Sequence, residues 1–245
     1  MVNILVHQFR PSGDAVVDKA ALEQFEKQWA TYQKVVDADW LSHKAVGKLL
    51  HGTLNQTFAV PFSFVDIACG DASQMRALRD TKVCHYHGID LSEPALELAA
   101  KNLEHMPFQV ELDHRDFVEA MTSRPEPADV TWCSLSIHHL QIDEKLRLMQ
   151  AVHDATSTWL MIYEPTRKDG ETREEYLERF RRVNRPAWTT LTDDEWAQVD
   201  HHVTMCDFPE TAKTWLELGH KAGFSRARQL FEDPTGFYRV FRYDA

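Results

Sequence analysis

The stretch that decides the fold runs from Phe64 to Ser73 and reads FVDIACGDAS. An apolar run with the character of a strand ends here in a turn of small residues, and a helical pattern follows. A second stretch, from Tyr86 to Ser92, reads YHGIDLS and places Asp90 after another apolar run. Small residues let the backbone approach a ligand, and an acid after the next strand accepts hydrogen bonds from ribose hydroxyls. The two stretches therefore predict a βαβ unit that binds a nucleotide-type cofactor.

The turn departs from the glycine-rich fingerprint that cradles a pyrophosphate. It has Ala68, Gly70 and Ala72 where that fingerprint carries three glycines. The segment instead resembles the first motif of class I S-adenosylmethionine-dependent methyltransferases, in which an acid-x-small-x-Gly turn holds the methionine part of a phosphate-free cofactor. The resemblance covers roughly residues 60–245 and implies that the cofactor is S-adenosylmethionine (SAM).

The amino-acid composition disfavours several classes of function. The chain has 245 residues, of which 43% are hydrophobic, so it is long enough to bury a core. Its net charge of -11 disfavours nucleic acid as a partner, because phosphate binding needs a basic surface. The sequence shows no leader and no apolar run of membrane-spanning length, so we expect a cytoplasmic protein with no membrane partner. The four cysteines lack CxxC spacing and are predicted to be buried, reduced thiols.

Strands and helices alternate from residue 62 onward. Strands are predicted at 62–68, 84–90, 108–113, 129–135 and 159–163, and helices at 72–80, 93–103, 116–121 and 143–155. This alternation predicts an α/β fold with a doubly wound, mostly parallel sheet. Two β-rich runs at 226–231 and 237–243 predict a terminal hairpin. The resemblance implies a Rossmann-like sheet of seven strands in which the last strand is antiparallel.

The helical segments outside this core are expected to cover the acceptor site of a single domain, residues 1–245. Residues 18–54 form an N-terminal helical cap, because apolar residues recur there at steps of three and four, among them Trp29 and Tyr32. Residues 166–206 form a helical insertion after strand 5. Thr192 and Glu195 within it have the spacing of a capping box.

The resemblance implies a role for each of several cofactor-binding residues. Asp66 would organise the turn and engage the ammonium of the methionyl group, for which Ala68 and Gly70 leave room, and a helix starting near residue 72 would point its N–H groups at the carboxylate. Asp90 would accept the ribose hydroxyls. Leu91, Asp116 and Phe117 would contact the adenine, and Ser134 would line the cofactor from beneath. Apart from the resemblance, Tyr32 on the N-terminal helix could close over the sulfonium. The alternatives are a turn acid for Asp66, an N-cap for Asp116 and plain core packing for Tyr32.

Candidate catalytic residues follow strands 4 and 5. His138 and His139 lie in a segment that resembles the x-HH-L segment of small-molecule methyltransferases, and Glu164 ends the fifth strand. Each could orient an acceptor or remove its proton, although one histidine could equally cap a helix and Glu164 could be a surface acid. His43 is either a polar lining residue or exposed. No metal is expected, since His201 and His202 are adjacent and lie on different helix faces.

The sequence thus predicts transfer of a methyl group from SAM to an oxygen or nitrogen atom of a small-molecule acceptor. A non-catalytic protein that binds SAM or S-adenosylhomocysteine (SAH), acting as a sensor or partner subunit, is the first alternative. A second alternative, a nicotinamide oxidoreductase, would need a glycine-rich turn that this sequence lacks. A third, a protein or tRNA methyltransferase, would need an extended binding surface. The acceptor and the oligomeric state are not determined by the sequence.

Overall fold

The computed structural model describes residues 30–124 and 126–245. Helix α1 is described over residues 30–37, and the remaining part of the predicted cap, residues 18–29 with Trp29, lies outside the described residues. The elements that follow are α2 His43–Thr57, β1 Phe62–Ile67, β2 Val83–Asp90, α3 Glu93–Leu103, β3 Gln109–His114, α4 Phe117–Thr122, β4 Ala128–Ser134, α5 Ile142–Asp154, β5 Thr156–Arg167, α6 Arg173–Ala187, α7 Asp193–Cys206, β6 Glu210–Thr211, α8 Ala212–Ala222, β7 Arg226–Glu232 and β8 Tyr238–Asp244.

Seven strands form the sheet in the order β3-β2-β1-β4-β5-β8-β7, and the two-residue β6 pairs with β5 beside them. Strands β1 to β5 pair in parallel, whereas β8 runs antiparallel to both β5 and β7. The predicted α/β fold with a mostly parallel, doubly wound sheet is confirmed. The chain order reverses between β1 and β4, and in open parallel sheets this switch point opens a crevice at the carboxyl ends of the strands.

Alternating side chains of the strands build two cores, one on each face of the sheet. Phe64 packs on the face that α2 and α3 cover, and the next residue, Val65, packs on the face that α4, α5 and α8 cover. This period of two is the geometry of a strand. Both faces are apolar because a parallel sheet in an α/β protein is buried on both sides.

Two expectations from the sequence are wrong. The helix predicted at 72–80 is a short 3-10 turn, Ser73–Leu78, because Ala72 adopts a left-handed conformation with φ of 51° and interrupts the helical path. Its few residues do not provide the anion-binding helix start that the sequence suggested. The cysteines are free, but only Cys133 is buried, and Cys84 is exposed.

The helices of the insertion pack against the described part of the N-terminal cap. Thr172 and Glu175 form a capping box at the start of α6, and Thr192 and Glu195 form the predicted one at the start of α7. Trp188 stacks on Trp40 with ring centroids 5.3 Å apart. Nζ of Lys34 lies 2.6 Å from a carboxylate oxygen of Glu195. The cap and the insertion therefore form one continuous cover at the edge of the sheet. No helix among the described residues is long and apolar enough to span a membrane.

Two glycines should respond oppositely to alanine. A Cβ at Gly219 would lie 2.2 Å from Cδ1 of the buried Tyr243 ring, whereas a Cβ at Gly52 in α2 would meet nothing within 4 Å. We expect Gly219→Ala to lower the free energy of unfolding by about 1–3 kcal/mol through overpacking. Gly52→Ala should raise it by about 0.5–1 kcal/mol through helix propensity. Urea denaturation of the two variants measures both effects, and a stable Gly219→Ala protein would contradict the packing at α8.

Candidate functional site

The residues assigned from the sequence follow successive strands along one edge of the sheet. Because β1 to β5 are parallel, their carboxyl ends meet at that edge. In spatial order the edge carries Asp116 after β3, Asp90 at the end of β2, Asp66 in β1, Ser134 at the end of β4 and Glu164 in β5. An elongated ligand lying across the edge would meet these positions in this order. The tertiary structure thus brings together residues that are up to about 100 positions apart in the chain.

A cleft opens at the switch point between β1 and β4. Helices α1 and α2 cover it with Tyr32, His43 and Val46, and the turn after β1 and the end of β4 form its floor. Of the predicted cofactor residues, five line this cleft: Tyr32, Asp66, Ala68, Gly70 and Ser134.

The turn after β1 has the backbone conformation that the sequence suggested for a close approach to a ligand. Ala68, Gly70 and Ala72 have φ angles of 58°, 55° and 51°, all in the left-handed region. That region costs an alanine about 1–2 kcal/mol, whereas glycine enters it freely. The two alanines therefore occupy positions that favour glycine, and the surrounding structure holds them there.

Asp90 braces this turn. One carboxylate oxygen of Asp90 accepts from the backbone N–H of Gly70 at 2.9 Å, and the other accepts from Ser92 at 2.8 Å. The side chain has no exposed surface. Ribose binding by Asp90 stays a prediction. It requires the carboxylate to accept from the two ribose hydroxyls while it also accepts from the backbone of the turn.

The outer residues of the predicted adenine site take local roles. Asp116 is the N-cap of α4 and accepts from the backbone N–H groups of Val118 and Glu119, at 2.9 and 3.0 Å. Phe117 is buried, and Leu91 is half-buried with its carbonyl 2.8 Å from Nε2 of His114. These residues lie beyond β1 on the β2–β3 side of the cleft, so their contacts to adenine stay predictions.

Asp66 is the acid with the strongest electrostatic perturbation in the cleft. Burial raises the pKa of Asp66 to about 7, Tyr86 opposes this rise by donating a hydrogen bond of 2.7 Å, and Asp90 adds to it. Because its pKa is raised in the folded state, protonated Asp66 favours folding. This contribution to stability is complete below the pKa of the unfolded state and is lost as pH rises through about 7. A cationic ligand beside Asp66 would favour the ionised carboxylate and lower its pKa.

His43, at the start of α2, lines the same cleft. Its side chain is buried, and Nε2 makes no hydrogen bond with any described residue. Burial lowers the pKa of His43 to about 4, and the nearby Asp39 only partly offsets this effect. The imidazole is therefore neutral at pH 7, and the residue that lines the cleft has a buried, unsatisfied nitrogen.

The structure places Glu164 away from this cleft. The side chain has no exposed surface. Its carboxylate accepts from the backbone N–H groups of Ser136, Ile137 and His138 at 3.0–3.2 Å, and Nδ1 of His138 lies 2.6 Å away. The geometry thus gives Glu164 a positioning role for the turn after β4, instead of the substrate contact expected from the sequence.

The predicted catalytic histidines also lie behind the cleft. His138 borders a second, smaller cavity with His202 and Asp207, and Leu135 borders both cavities. The side chain of His139 is almost fully buried beside Asp207. Burial opposes the charged imidazole, but Asp207 and Glu164 together raise the pKa of His138. Burial lowers the pKa of His139 well below its usual range, and the neighbouring His138 adds to this effect. His202 and Asp207 belong to this cluster, and no local pattern in the sequence links them to His138.

Residues 64–158 match the family model of a methyltransferase domain. This match covers the turn after β1 and both predicted histidines, and it confirms the resemblance to class I SAM-dependent methyltransferases. A sequence search of curated proteins finds no match.

Solved structures of methyltransferases share the fold. A Nostoc punctiforme PCC 73102 protein provisionally assigned as an O-methyltransferase aligns with 82% of this chain at 14% identity and a TM-score of 0.60, and the chain spans only 56% of its length. Magnesium protoporphyrin IX methyltransferase (ChlM) of Synechocystis PCC 6803, solved with bound SAM, aligns over 95% of this chain and 86% of its own, at 14% identity and a TM-score of 0.51. The cyclopropane synthase MmaA2 of Mycobacterium tuberculosis aligns over 82% of both chains, at 16% identity and a TM-score of 0.57.

Glu164→Gln tests the positioning role of the buried carboxylate. An amide offers one acceptor oxygen where the carboxylate offers two, so at least one of the N–H groups of the turn loses its partner. We expect the free energy of unfolding to fall by about 3 kcal/mol, the scale for breaking a buried charged pair. Glu178→Gln on the exposed face of α6 is the matched control. Equal stability of the two variants in urea denaturation would refute the role.

Proposed function

Since residues 64–158 carry a methyltransferase domain, we propose that this protein transfers the methyl group of SAM to an oxygen or nitrogen atom of a small-molecule acceptor. The observation that supports this proposal is the convergence of Asp66, Gly70 and Ser134 on one cleft at the β1–β4 switch point. SAM, the cofactor of this domain family, supplies an activated methyl group on a sulfonium. The enzyme then has to bind, align and desolvate the reactants.

The cleft fits such a donor. Ala68, Gly70 and Ala72 adopt left-handed backbone angles in the turn that a methionyl group would approach. Asp66 is a buried acid whose ionisation is opposed in the free protein, and an ammonium group would favour it. The half-buried Tyr32 from α1 closes the opposite side. We therefore assign the methionyl end of SAM to this part of the cleft.

A small acceptor is favoured because the cap covers the cleft. Tyr32, His43 and Val46 stand over the strand ends, so side chains of the described residues enclose the space beside the donor. The acidic net charge of -11 does not favour a nucleic-acid substrate.

We assign acceptor activation to His43. Its neutral imidazole can accept a hydrogen bond or a proton from an acceptor hydroxyl or amine, and its Nε2 has no competing partner among the described residues. His138, His139 and Glu164 contribute to the proposed site through the turn that ends at the floor of the cleft. This division of roles explains why one histidine borders the cleft and the pair lies behind it.

Calorimetric titration with SAM and SAH is the direct test. We expect micromolar binding of both ligands, weakened about tenfold or more in Asp90→Asn, because this variant loses a charged acceptor. Asp129→Asn is the matched control: Asp129 also accepts a backbone N–H, from Ser63 at 2.7 Å, but at the start of β4 on the opposite edge of the sheet. Absence of binding would refute the proposal. Binding of SAM without methyl transfer to any member of a broad acceptor panel would favour a SAM-binding sensor or partner subunit.

The pKa of Asp66 predicts how SAM affinity depends on pH. The ionised carboxylate binds the ammonium, and Asp66 is half protonated at about pH 7 in the free protein. SAM affinity should therefore rise about tenfold between pH 6 and pH 8, and binding should release a proton. Calorimetry in buffers of different ionisation enthalpy measures this release. Asp66→Asn should bind without this pH dependence, and an unchanged pH profile in that variant would contradict the assignment.

Replacement of His43 tests acceptor activation. We expect His43→Ala to lower kcat by about 100-fold, as is typical for loss of a general base, and to leave SAM affinity unchanged. His51→Ala is the matched control, since His51 lies two turns further along α2 and bonds to Asn55. Steady-state kinetics with the acceptor identified in the panel measures both variants. Equal activity of His43→Ala and His51→Ala would exclude a role for His43 in the reaction.

A further inference from the structure

Three histidines and one aspartate converge at a point that methyl transfer does not use. His138 and His139 come from the short turn Ile137–His139, His202 from α7, and Asp207 from the C-cap of that helix. His138, His202 and Asp207 are 4%, 7% and 6% exposed, and the side chain of His139 is 5% exposed. So many ionisable groups in one buried place require a physical reason.

The distances centre on a single oxygen. Oδ1 of Asp207 lies 3.5 Å from Nε2 of His138, 3.4 Å from Nδ1 of His139 and 3.3 Å from Nε2 of His202. Ligand atoms bound at about 2.0–2.1 Å to a tetrahedral ion stand about 3.4 Å apart. The three donor atoms that His138, His139 and Asp207 offer also lie within 4.8 Å of one another. These three atoms are close enough to share one ion, and their contacts with Asp207 are longer than good hydrogen bonds, whereas His202 approaches the group through Asp207.

Several of these atoms are unsatisfied within the described part of the chain. Oδ1 of Asp207, both ring nitrogens of His202 and Nε2 of His139 are buried without a hydrogen bond. Buried polar groups in native proteins have partners, and an unpaired one costs about 1–3 kcal/mol. Oδ1 of Asp207 lies within 3.5 Å of the donor nitrogens of His138 and His139, so an ion bound there would give this unsatisfied oxygen a partner.

The hydrogen bond between His138 and Glu164 decides which ring nitrogen of His138 would bind an ion. Nδ1 lies 2.6 Å from Oε2 of Glu164, and because a carboxylate only accepts, Nδ1 carries the proton. In the neutral ring this leaves a lone pair on Nε2, the atom that faces Asp207. A carboxylate that fixes the tautomer of a metal-binding histidine in this way is a common outer-shell partner of zinc.

We propose that His138, His139 and Asp207 form a binding site for a divalent transition metal ion of the zinc type. Two imidazoles and one carboxylate are donors suited to Zn²⁺, and a water molecule would complete a four-coordinate shell. His139 binds through Nδ1, which lies 3.2 Å from the carbonyl oxygen of Cys206, so its proton moves to Nε2 when the ion enters. The site differs from the expectation drawn from His201 and His202, because its donors come from other segments of the chain.

The ion would join the insertion to the sheet. His138 and His139 follow β4, whereas His202 and Asp207 belong to α7 and its end. A small adjoining cavity borders His138, His202 and Asp207. Metal binding therefore stabilises the position of α7 over the turn that ends at the cleft, by mass action on the folded state.

Metal titration of the full chain without a histidine tag tests the proposal. The protein is stripped with a chelator, and Zn²⁺ or Co²⁺ chloride is added alone. We expect one equivalent to bind, the midpoint of thermal unfolding to rise, and bound Co²⁺ to show the intense visible absorption of a four-coordinate ion. Absence of binding, or a Co²⁺ spectrum of octahedral type, would overturn the proposal, and neither result bears on SAM titration, which tests the proposed function separately.

Two variants with a matched control locate the site. His139→Ala and Asp207→Asn should weaken binding by more than the roughly 10- to 100-fold that loss of an outer-shell partner costs. His201→Ala removes an exposed histidine of α7 outside the site and should bind as the wild type does. Equal losses in His201→Ala and His139→Ala, or wild-type affinity in both His139→Ala and Asp207→Asn, would overturn the assignment. The wild-type titration decides even if a variant fails to fold.

Discussion

The buried carboxylate of Glu164 is the constraint on which this edge of the molecule depends. A carboxylate without exposed surface has lost its hydration and must find donors inside the protein. Glu164 finds them in the backbone of residues 136–138 and in the ring of His138. These hydrogen bonds fix the turn after β4 against β5. The position of this turn then determines the geometry of two neighbouring cavities.

Leu135 separates these cavities and shows how closely they are coupled. Its φ of 53° lies in the left-handed region, and its N–H donates to the carbonyl of Tyr163 at 2.7 Å. One side of this residue borders the cleft assigned to SAM, and the other borders the histidine cluster. A shift of α7, which carries His202, would therefore reach the floor of the cleft through one short turn. The two proposals concern different chemistry but share this rigid element.

The elements of the core could be predicted because their signals are local. Strand β2 and helix α3 follow an apolar run and a Ser92 cap that can be seen in the sequence, and the structure places the ends of α3 where the pattern predicts. The turn after β1 could be predicted only in part. Its small residues indicate a close approach to a ligand, but the left-handed angle at Ala72 stops the helix expected there, and alanine gives no warning of that angle.

The sequence by itself determined the doubly wound α/β fold and the resemblance to methyltransferases, because periodicity, caps and the spacing between Gly70 and Asp90 are encoded over short distances. The tertiary structure alone decided the surroundings of His43, His138 and Glu164. Burial and the partners of a side chain depend on which distant segments meet: β5 meets the turn after β4, and α7 brings His202 to His138. No local pattern contains that information, so the same residue types are compatible with a catalytic base, a buried brace or a metal ligand until the chain is folded.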